Sequence, residues 1–332
     1  MTDLPDRTAA DRIPARALWL PATGQCALRD ESLEPPGKDD VLVHSLYSGI
    51  SRGTEGLVFA GRVPESEWQR MRGPNMAGSF AFPVKYGYAA VGRVEKGPPD
   101  LLGKNVFCLH PHQDIFVVPA AQVTPLPENL PPGRAVLSAN METALNIVWD
   151  AGILPGDRVA VFGAGVVGAL TAHVANGIPG TETVLVDIND TRKPLAADLG
   201  LTFATAGTLE GEFDVLVNAS ASAPALREAI AHAGQEAKIV EASWYGDAQA
   251  SIPLGGAFHA RRLSLVCSQV GSVPPARRAR WTFARRLNKA LELLCDDRLD
   301  NLISGETAFA DLVADYPRIL ADPQTLCHRI RY

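Results

Sequence analysis

The feature that most constrains this chain is a glycine turn, Gly163-Ala164-Gly165-Val166-Val167-Gly168, set between an apolar run and a helical run. Arg158 to Phe162 reads as a buried strand, and Val166 to Asn176 reads as a helix stopped by Gly177. The first glycine permits a tight turn. The second lets the backbone approach a ligand, and the third lets the helix pack close to the sheet. The unpaired N–H groups at the start of such a helix, with the positive end of its dipole, suit a pyrophosphate. Asp187 ends the next strand, where a carboxylate accepts hydrogen bonds from an adenosine ribose. Gly163, Gly165, Val166, Val167, Gly168, Asp187 and Ile188 therefore predict a dinucleotide site. A 2′-phosphate would meet the Asp187 carboxylate, so NAD is expected over NADP, and Arg192 softens that preference. The other reading of Asp187 is a cap on the following helix.

The turn sits in a regular alternation of strand and helix. Thr183 to Val186 is a strand, Thr191 to Leu199 a helix, Asp214 to Asn218 a strand and Pro224 to Ala233 a helix. Ala237 to Glu241 and Leu263 to Cys267 complete six strands. Such alternation predicts an α/β unit with a parallel doubly wound sheet. Ligands bind beyond the carboxyl ends of its strands, which adds Ala219, Ser220 and Ser243 to the cofactor residues. Trp244 and Tyr245 divide evenly between facing a substrate and packing.

The chain before this unit has a different texture. From Ala17 to about Pro125 it reads as short strands broken by Gly and Pro, such as Val41 to Leu46 and Asn105 to His110. Residues 1–12 read as a frayed tail. Met141 to Ala151 opens the α/β unit as a helix, with Ala144, Leu145, Val148 and Trp149 on one face. After Gly271 come an arginine-rich amphipathic helix from Arg277 to Leu294, a helix near Ala310 to Leu320 and a strand from Cys327 to Arg331. These are too few for a core of their own. The expected division is a β-rich domain of residues 1–140 and 272–332 around a dinucleotide domain of residues 141–271.

Bulk properties narrow the class. The chain has 332 residues, which favours two domains, and a net charge of −6, which gives no reason to expect nucleic acid or an anionic membrane as partner. The basic segment Arg277-Arg278 to Arg285-Arg286 reads as a solvated face or the rim of an anionic substrate site. Five cysteines at wide spacings, with no CxxC pair, argue against a disulfide framework and fit a reducing cytoplasm. The first residues lack a signal-peptide pattern, and no apolar run is long enough to span a bilayer. Cys108, His110 and His112 alternate, so a strand would place all three on one face. A metal-free strand end is the favoured reading of them.

Three further segments carry a resemblance. Tyr47-Ser48-Gly49-Ile50-Ser51-Arg52-Gly53-Thr54-Glu55 is similar to the Gly-Ile-Cys-Gly-Thr-Asp segment of the medium-chain dehydrogenase/reductase superfamily. Gly87-Tyr88-Ala89-Ala90-Val91-Gly92-Arg93-Val94 is similar to its Gly-His-Glu-x-x-Gly-x-Val strand. Met141-Glu142-Thr143-Ala144 sits where that superfamily begins a Thr-Ala helix under the nicotinamide. The resemblance implies a GroES-like catalytic domain with a Rossmann domain, a homodimer, and Thr143 among the cofactor contacts. It also implies a zinc-independent branch. Ser51 or Arg52, the pair Tyr88 and Ala89, and Ala139 stand where zinc members carry ligands, and a catalytic zinc needs three protein ligands. Within that branch the chain most resembles the bacteriochlorophyllide hydroxyethyl dehydrogenase-like group.

The chemistry expected from this resemblance is NAD-dependent hydride exchange between nicotinamide and a small-molecule secondary alcohol or ketone. Without a metal, a protein group must stabilise charge on oxygen and move a proton. Tyr88 is the first candidate, with Lys85 expected to lower its pKa. Thr54 and Ser51 are candidate relays, Glu142 a candidate orienting group or proton acceptor, and Arg52 a candidate pyrophosphate ligand. Core packing is the competing reading of Tyr88, and a helix N-terminal carboxylate that of Glu142. Two other functions compete. One is a quinone or enoyl reductase using NADPH, against which Asp187 argues. The other is a non-catalytic dinucleotide sensor.

Overall fold

Strand periodicity rules the first part of the chain, and the structure, a computed structural model, turns it into a β-rich unit. The structure describes residues 12–332; the expected frayed tail lies almost entirely outside them. Two compact units emerge, residues up to Val136 together with Ser304–Tyr332, and residues Leu137–Ile303. The first begins with β1 (Ile13–Trp19), β2 (Ala27–Leu33) and the long β3 (Asp40–Ser51), which runs directly into α1 (Arg52–Phe59). Short β4 (Ala77–Gly78) and β5 (Val84–Lys85) pair with each other. Then come β6 (Ala90–Lys96), β7 (Asn105–Cys108), β8 (Ile115–Pro119) and β9 (Val123–Pro125).

The second unit opens with α2 (Ser138–Ala151), which ends where Gly152 takes the left-handed conformation. It continues through β10 (Arg158–Phe162), α3 (Val166–Asn176), β11 (Glu182–Asp187), α4 (Lys193–Asp198), β12 (Thr202–Thr205), β13 (Phe213–Asn218), α5 (Ala223–His232), β14 (Ala233–Glu241) and β15 (Ser264–Cys267). Its sheet is parallel and ordered β12-β11-β10-β13-β14-β15. That is the doubly wound order whose switch point lies beside the first strand, where the glycine turn stands. Phe162, Val186, Leu216, Leu226, Ile230 and Ile239 are buried in its core, each contributing about 1.5–3 kcal/mol of apolar burial.

Two short helices, α6 (Pro275–Arg278) and α7 (Phe283–Leu293), stand where one long helix was expected. Thr282 breaks it by capping α7, its hydroxyl accepting from the Arg285 amide at 3.1 Å. Residues 272–303 group with the second unit instead of the β-rich one. The cause is visible in α7, which packs on α2 and sends Arg286 to Glu142. The chain then forms β16 (Ile303–Ala308), α8 (Leu312–Ala321) and β17 (Cys327–Arg331), and β17 pairs antiparallel with β3. The β-rich sheet runs β16-β17-β3-β6-β7-β9, with β8 also on β3. Val41, Val43, Ala90, Val94, Val106 and Phe116 fill its interior. Among the described residues no helix is long and apolar enough to cross a membrane.

Candidate functional site

In the second unit the glycine turn is built as its sequence requires, with one difference. Gly163 has φ +103°, a conformation that L side chains rarely adopt. A Cβ on Gly168 would drive into the carbonyl oxygen of Gly163, so the helix closes on the turn itself more than on the sheet. A Cβ on Gly165 would meet nothing within 4 Å. Gly165 is also the residue before α3 and has no side chain to cap it, so the first amides of α3 are left without a side-chain cap. An anion is the natural partner for such a helix start.

Asp187 does more than wait for a ribose. Its Oδ2 accepts from the Ala164 amide at 2.6 Å and its Oδ1 from the Asn189 amide at 2.8 Å. The carboxylate thus clasps the glycine turn, and each oxygen keeps a further lone pair. Capping of the next helical turn falls to Asn189, which accepts from Thr191. Ile188 is 86% exposed, an apolar side chain left uncovered beside that carboxylate. A cavity of about 500 Å³ lined by Asp190, Lys193, Phe203, Thr205 and Thr208 lies at the same strand ends. Arg192 is buried and engaged within the protein, so it does not stand open to a 2′-phosphate.

The other strand ends are tied together by side chains. The Asn218 amide donates to Glu241 at 2.7 Å and to the Tyr245 hydroxyl at 3.1 Å, and its oxygen accepts from Ser220. Ser243 Oγ accepts from the Ala221 amide at 2.8 Å. Ala219 sits directly across the turn from Gly163. Burial and then the Glu241 charge push the Tyr245 hydroxyl up to about 12, which marks it as part of this scaffold.

Glu142 does not serve as the free proton acceptor first considered. It is buried on α2, and Arg286 Nε donates to it at 2.9 Å. The same guanidinium donates to Asn146 and to the Val270 carbonyl. Burial raises the Glu142 pKa while Arg286 opposes the shift. Glu142 also lies beyond the first turn of α2, so it is a helix-to-helix ion pair and not a helix N-terminal carboxylate. Thr143, next to it, spends its hydroxyl on the Ala139 carbonyl at 2.9 Å.

In the β-rich unit three predicted residues come together. Ser51 and Thr54 lie beside Tyr88, and their hydroxyls act to lower its pKa. Ser51 ends β3 and Thr54 lies in the first turn of α1, three positions on and therefore on the same face. Tyr88 precedes β6, its ring edge-on to Tyr86 at 6.1 Å. As residues all three are half-buried. Burial pushes Tyr88 up to about 12, and the two hydroxyl partners pull the other way. Lys85 does not activate it as expected, because its ammonium is held by Glu31 at 2.8 Å and Gln113 at 2.8 Å. Arg52 opens α1 without a carboxylate partner among the described residues.

Behind this cluster is a network that sequence reasoning missed. Glu55, only 1% exposed, accepts from the Ser51 amide at 2.7 Å, from the Tyr316 hydroxyl at 2.7 Å and from His112 Nε2 at 2.9 Å. His112 Nδ1 meets Ser48 Oγ at 2.8 Å, which meets the Tyr332 hydroxyl at 2.9 Å. Glu55 lies in the quoted Ser51–Glu55 run, and that was the one available signal.

Cys108, His110 and His112 do not line up on one face as a strand would place them. The strand expected to align Cys108, His110 and His112 stops at Cys108. His110 turns its Nδ1 to the Pro111 carbonyl and stacks on Phe116 at 4.1 Å, and both nitrogens of His112 are taken. Among the described residues no three His, Cys, Asp or Glu side chains converge as a metal site.

Comparison with known proteins agrees with this architecture. No family model matches the chain. It is 30% identical over 104 residues to an L-threonine 3-dehydrogenase of Xanthomonas campestris pv. campestris, covering 31% of this chain and 30% of that relative. A short chain alcohol dehydrogenase of Escherichia coli CFT073 complexed with NADH superposes with a TM-score of 0.77 at 15% identity, covering 96% of this chain and 99% of that one. A putative zinc-binding dehydrogenase of Sinorhizobium meliloti 1021 bound to NADP gives a TM-score of 0.75 at 19% identity, covering 96% and 100%. The chain therefore has the alcohol dehydrogenase-like fold, a GroES-like unit with a Rossmann unit.

Proposed function

We propose that this chain is a zinc-independent, NAD(H)-dependent oxidoreductase of the medium-chain type, exchanging hydride with a secondary alcohol or ketone. One observation carries the reading. Three hydroxyls, from Tyr88, Ser51 and Thr54, converge in the two segments where the resembled zinc enzymes carry metal ligands. The relative L-threonine 3-dehydrogenase is named for oxidation at an internal carbon, which supports a secondary alcohol as the substrate class. The resemblance to the bacteriochlorophyllide hydroxyethyl dehydrogenase-like group points the same way.

The Rossmann unit has the features a dinucleotide needs. The amides of Val166 and Val167 would take the pyrophosphate, Asp187 would take the ribose, and Ile188 would offer a face to the adenine. When bound, NADH supplies hydride to a carbonyl carbon. The chain's own part is the proton. Tyr88 keeps its proton up to about pH 12, so it is a donor and not a base at neutral pH. With Ser51 and Thr54 donating into the phenol oxygen, the Tyr88 O–H is left to donate to a carbonyl oxygen. The same two donors stabilise the phenolate once the proton has moved.

Tyr88→Phe tests this. Reduced-nicotinamide oxidation on a panel of ketones should lose about 10²–10⁴-fold in kcat with NADH affinity unchanged. In the unaltered chain kcat should show no alkaline limb from Tyr88 below about pH 11, one unit under its raised pKa. Wild-type turnover in Tyr88→Phe would sink the reading. Faster turnover of enones with NADPH would favour the quinone or enoyl reductase class, and no turnover with intact NADH binding would favour a sensor.

A further inference from the structure

The buried network behind the hydroxyl cluster has more order than packing demands. It joins five separate segments: β3 through Ser48, α1 through Glu55, the loop carrying His112, α8 through Tyr316, and the chain end through Tyr332. Its hydrogen bonds form one continuous chain. The Tyr332 hydroxyl meets Ser48 Oγ, Ser48 Oγ meets His112 Nδ1, and His112 Nε2 meets Glu55 Oε2. Every member has its partner inside the network, and the chain of contacts ends on one carboxylate. Gly87 makes room for it, since a Cβ there would lie 3.0 Å from the His112 ring. That glycine immediately precedes Tyr88, so the network and the cluster share a backbone.

Glu55 spends its two oxygens unequally. Oε2 takes His112 and Tyr316, which belong to elements remote in sequence. Oε1 takes the Ser51 amide, the hinge between β3 and α1. A carboxylate inside the first turn of a helix, reaching back to the residue before it, fixes how that turn leaves the strand. Ser51 and Thr54 ride on this turn. Ser51 makes no side-chain cap to α1, so its hydroxyl is free for Tyr88.

We propose that Glu55 is the positioning residue of the hydroxyl cluster: clamped by His112 and Tyr316, its carboxylate holds the first turn of α1 so that Ser51 and Thr54 converge on Tyr88. Glu55 touches none of the reacting atoms and acts only through the turn. The inference rests on Tyr88 as the proton donor for its meaning in catalysis, but its test does not depend on turnover.

The chain contains six tyrosines, so labelling with 3-fluorotyrosine gives six fluorine resonances, and Tyr88→Phe assigns one of them. Ser51→Ala and Thr54→Ala should move the Tyr88 resonance. Glu55→Asp keeps the charge but draws both oxygens back by one methylene, and it should move Tyr88 as well. Glu55→Gln keeps the length and the acceptor for the Ser51 amide, and it should move Tyr88 less. The Tyr316 resonance should shift in both Glu55 variants and reports that the substitution is felt. A Tyr88 signal unmoved in Glu55→Asp, or moved as far in Glu55→Gln, overturns the positioning role. Should Glu55→Asp fail to fold, the unaltered protein decides. Its Ser51 amide should exchange with solvent about tenfold or more slowly than that of exposed Gly53, and equal rates would overturn the proposal. Tyr88→Phe with wild-type kcat would defeat the catalytic reading and leave these signals as they are.

Discussion

The two units carry candidate sites made from different materials. In the Rossmann unit the candidate groups are backbone amides, set among three glycines within six consecutive residues. In the β-rich unit they are side-chain hydroxyls, held by groups drawn from five separate segments. A backbone site is ruined by adding atoms, whereas a side-chain site is ruined by removing them. The first kind is written in contiguous residues and the second only in the folded chain.

That contrast orders the expected effects. Gly168→Val should be the most damaging, because its side chain would occupy the place of the Gly163 carbonyl and the turn must open. NADH affinity should fall by about 100-fold or more, some 2.7 kcal/mol, as measured by fluorescence titration. The β-rich unit should keep its own structure, reported by an unchanged Tyr88 fluorine resonance. Tyr88→Phe should do the reverse, sparing NADH binding and losing kcat. If both substitutions damaged binding alike, the separation into two kinds of site would fail.

A smaller effect comes from His110, a member of neither cluster. Burial lowers its pKa to about 3. Between that value and the ordinary value near 6.5 the unfolded chain binds a proton that the folded chain refuses, so stability rises with pH across this window. The His110 contribution is complete above about pH 6.5 and is lost as the pH falls toward 3. Unfolding free energies from urea titration of the unaltered protein should therefore drop faster below about pH 6.5 than those of His110→Gln, by up to about 1.4 kcal/mol per pH unit. Parallel curves would show that the buried ring is not the cause.

The legibility of the sequence follows the same division. Gly163 to Gly168 and Asp187 were readable because strand, turn and helix are adjacent, and a parallel sheet repeats that unit. Ser51, Thr54 and Tyr88 were readable only through resemblance, since nothing in their spacing says that they meet. Glu55, His112, Tyr316 and Tyr332 were not readable in their roles. The alternation of Cys108, His110 and His112 assumed a strand that ends early, just before the turn around Pro111, whose ring removes a backbone donor. The boundary near residue 272 was misplaced for a related reason. An arginine-rich helix looks solvated from composition alone, and only the fold shows that Arg286 is the arginine buried against Glu142. Thr282 did carry a local signal, a capping hydroxyl in the middle of what looked like one helix.

The central claim is that the Gly163–Gly168 turn and Asp187 together hold a nicotinamide dinucleotide, with the carboxylate selecting the form without a 2′-phosphate. Calorimetric titration of the full chain with NADH and, separately, NADPH tests it most directly. The account predicts one NADH site per chain and NADPH binding weaker by about tenfold or more, at least 1.4 kcal/mol. Absence of heat with both coenzymes, or tighter binding of NADPH, would contradict it.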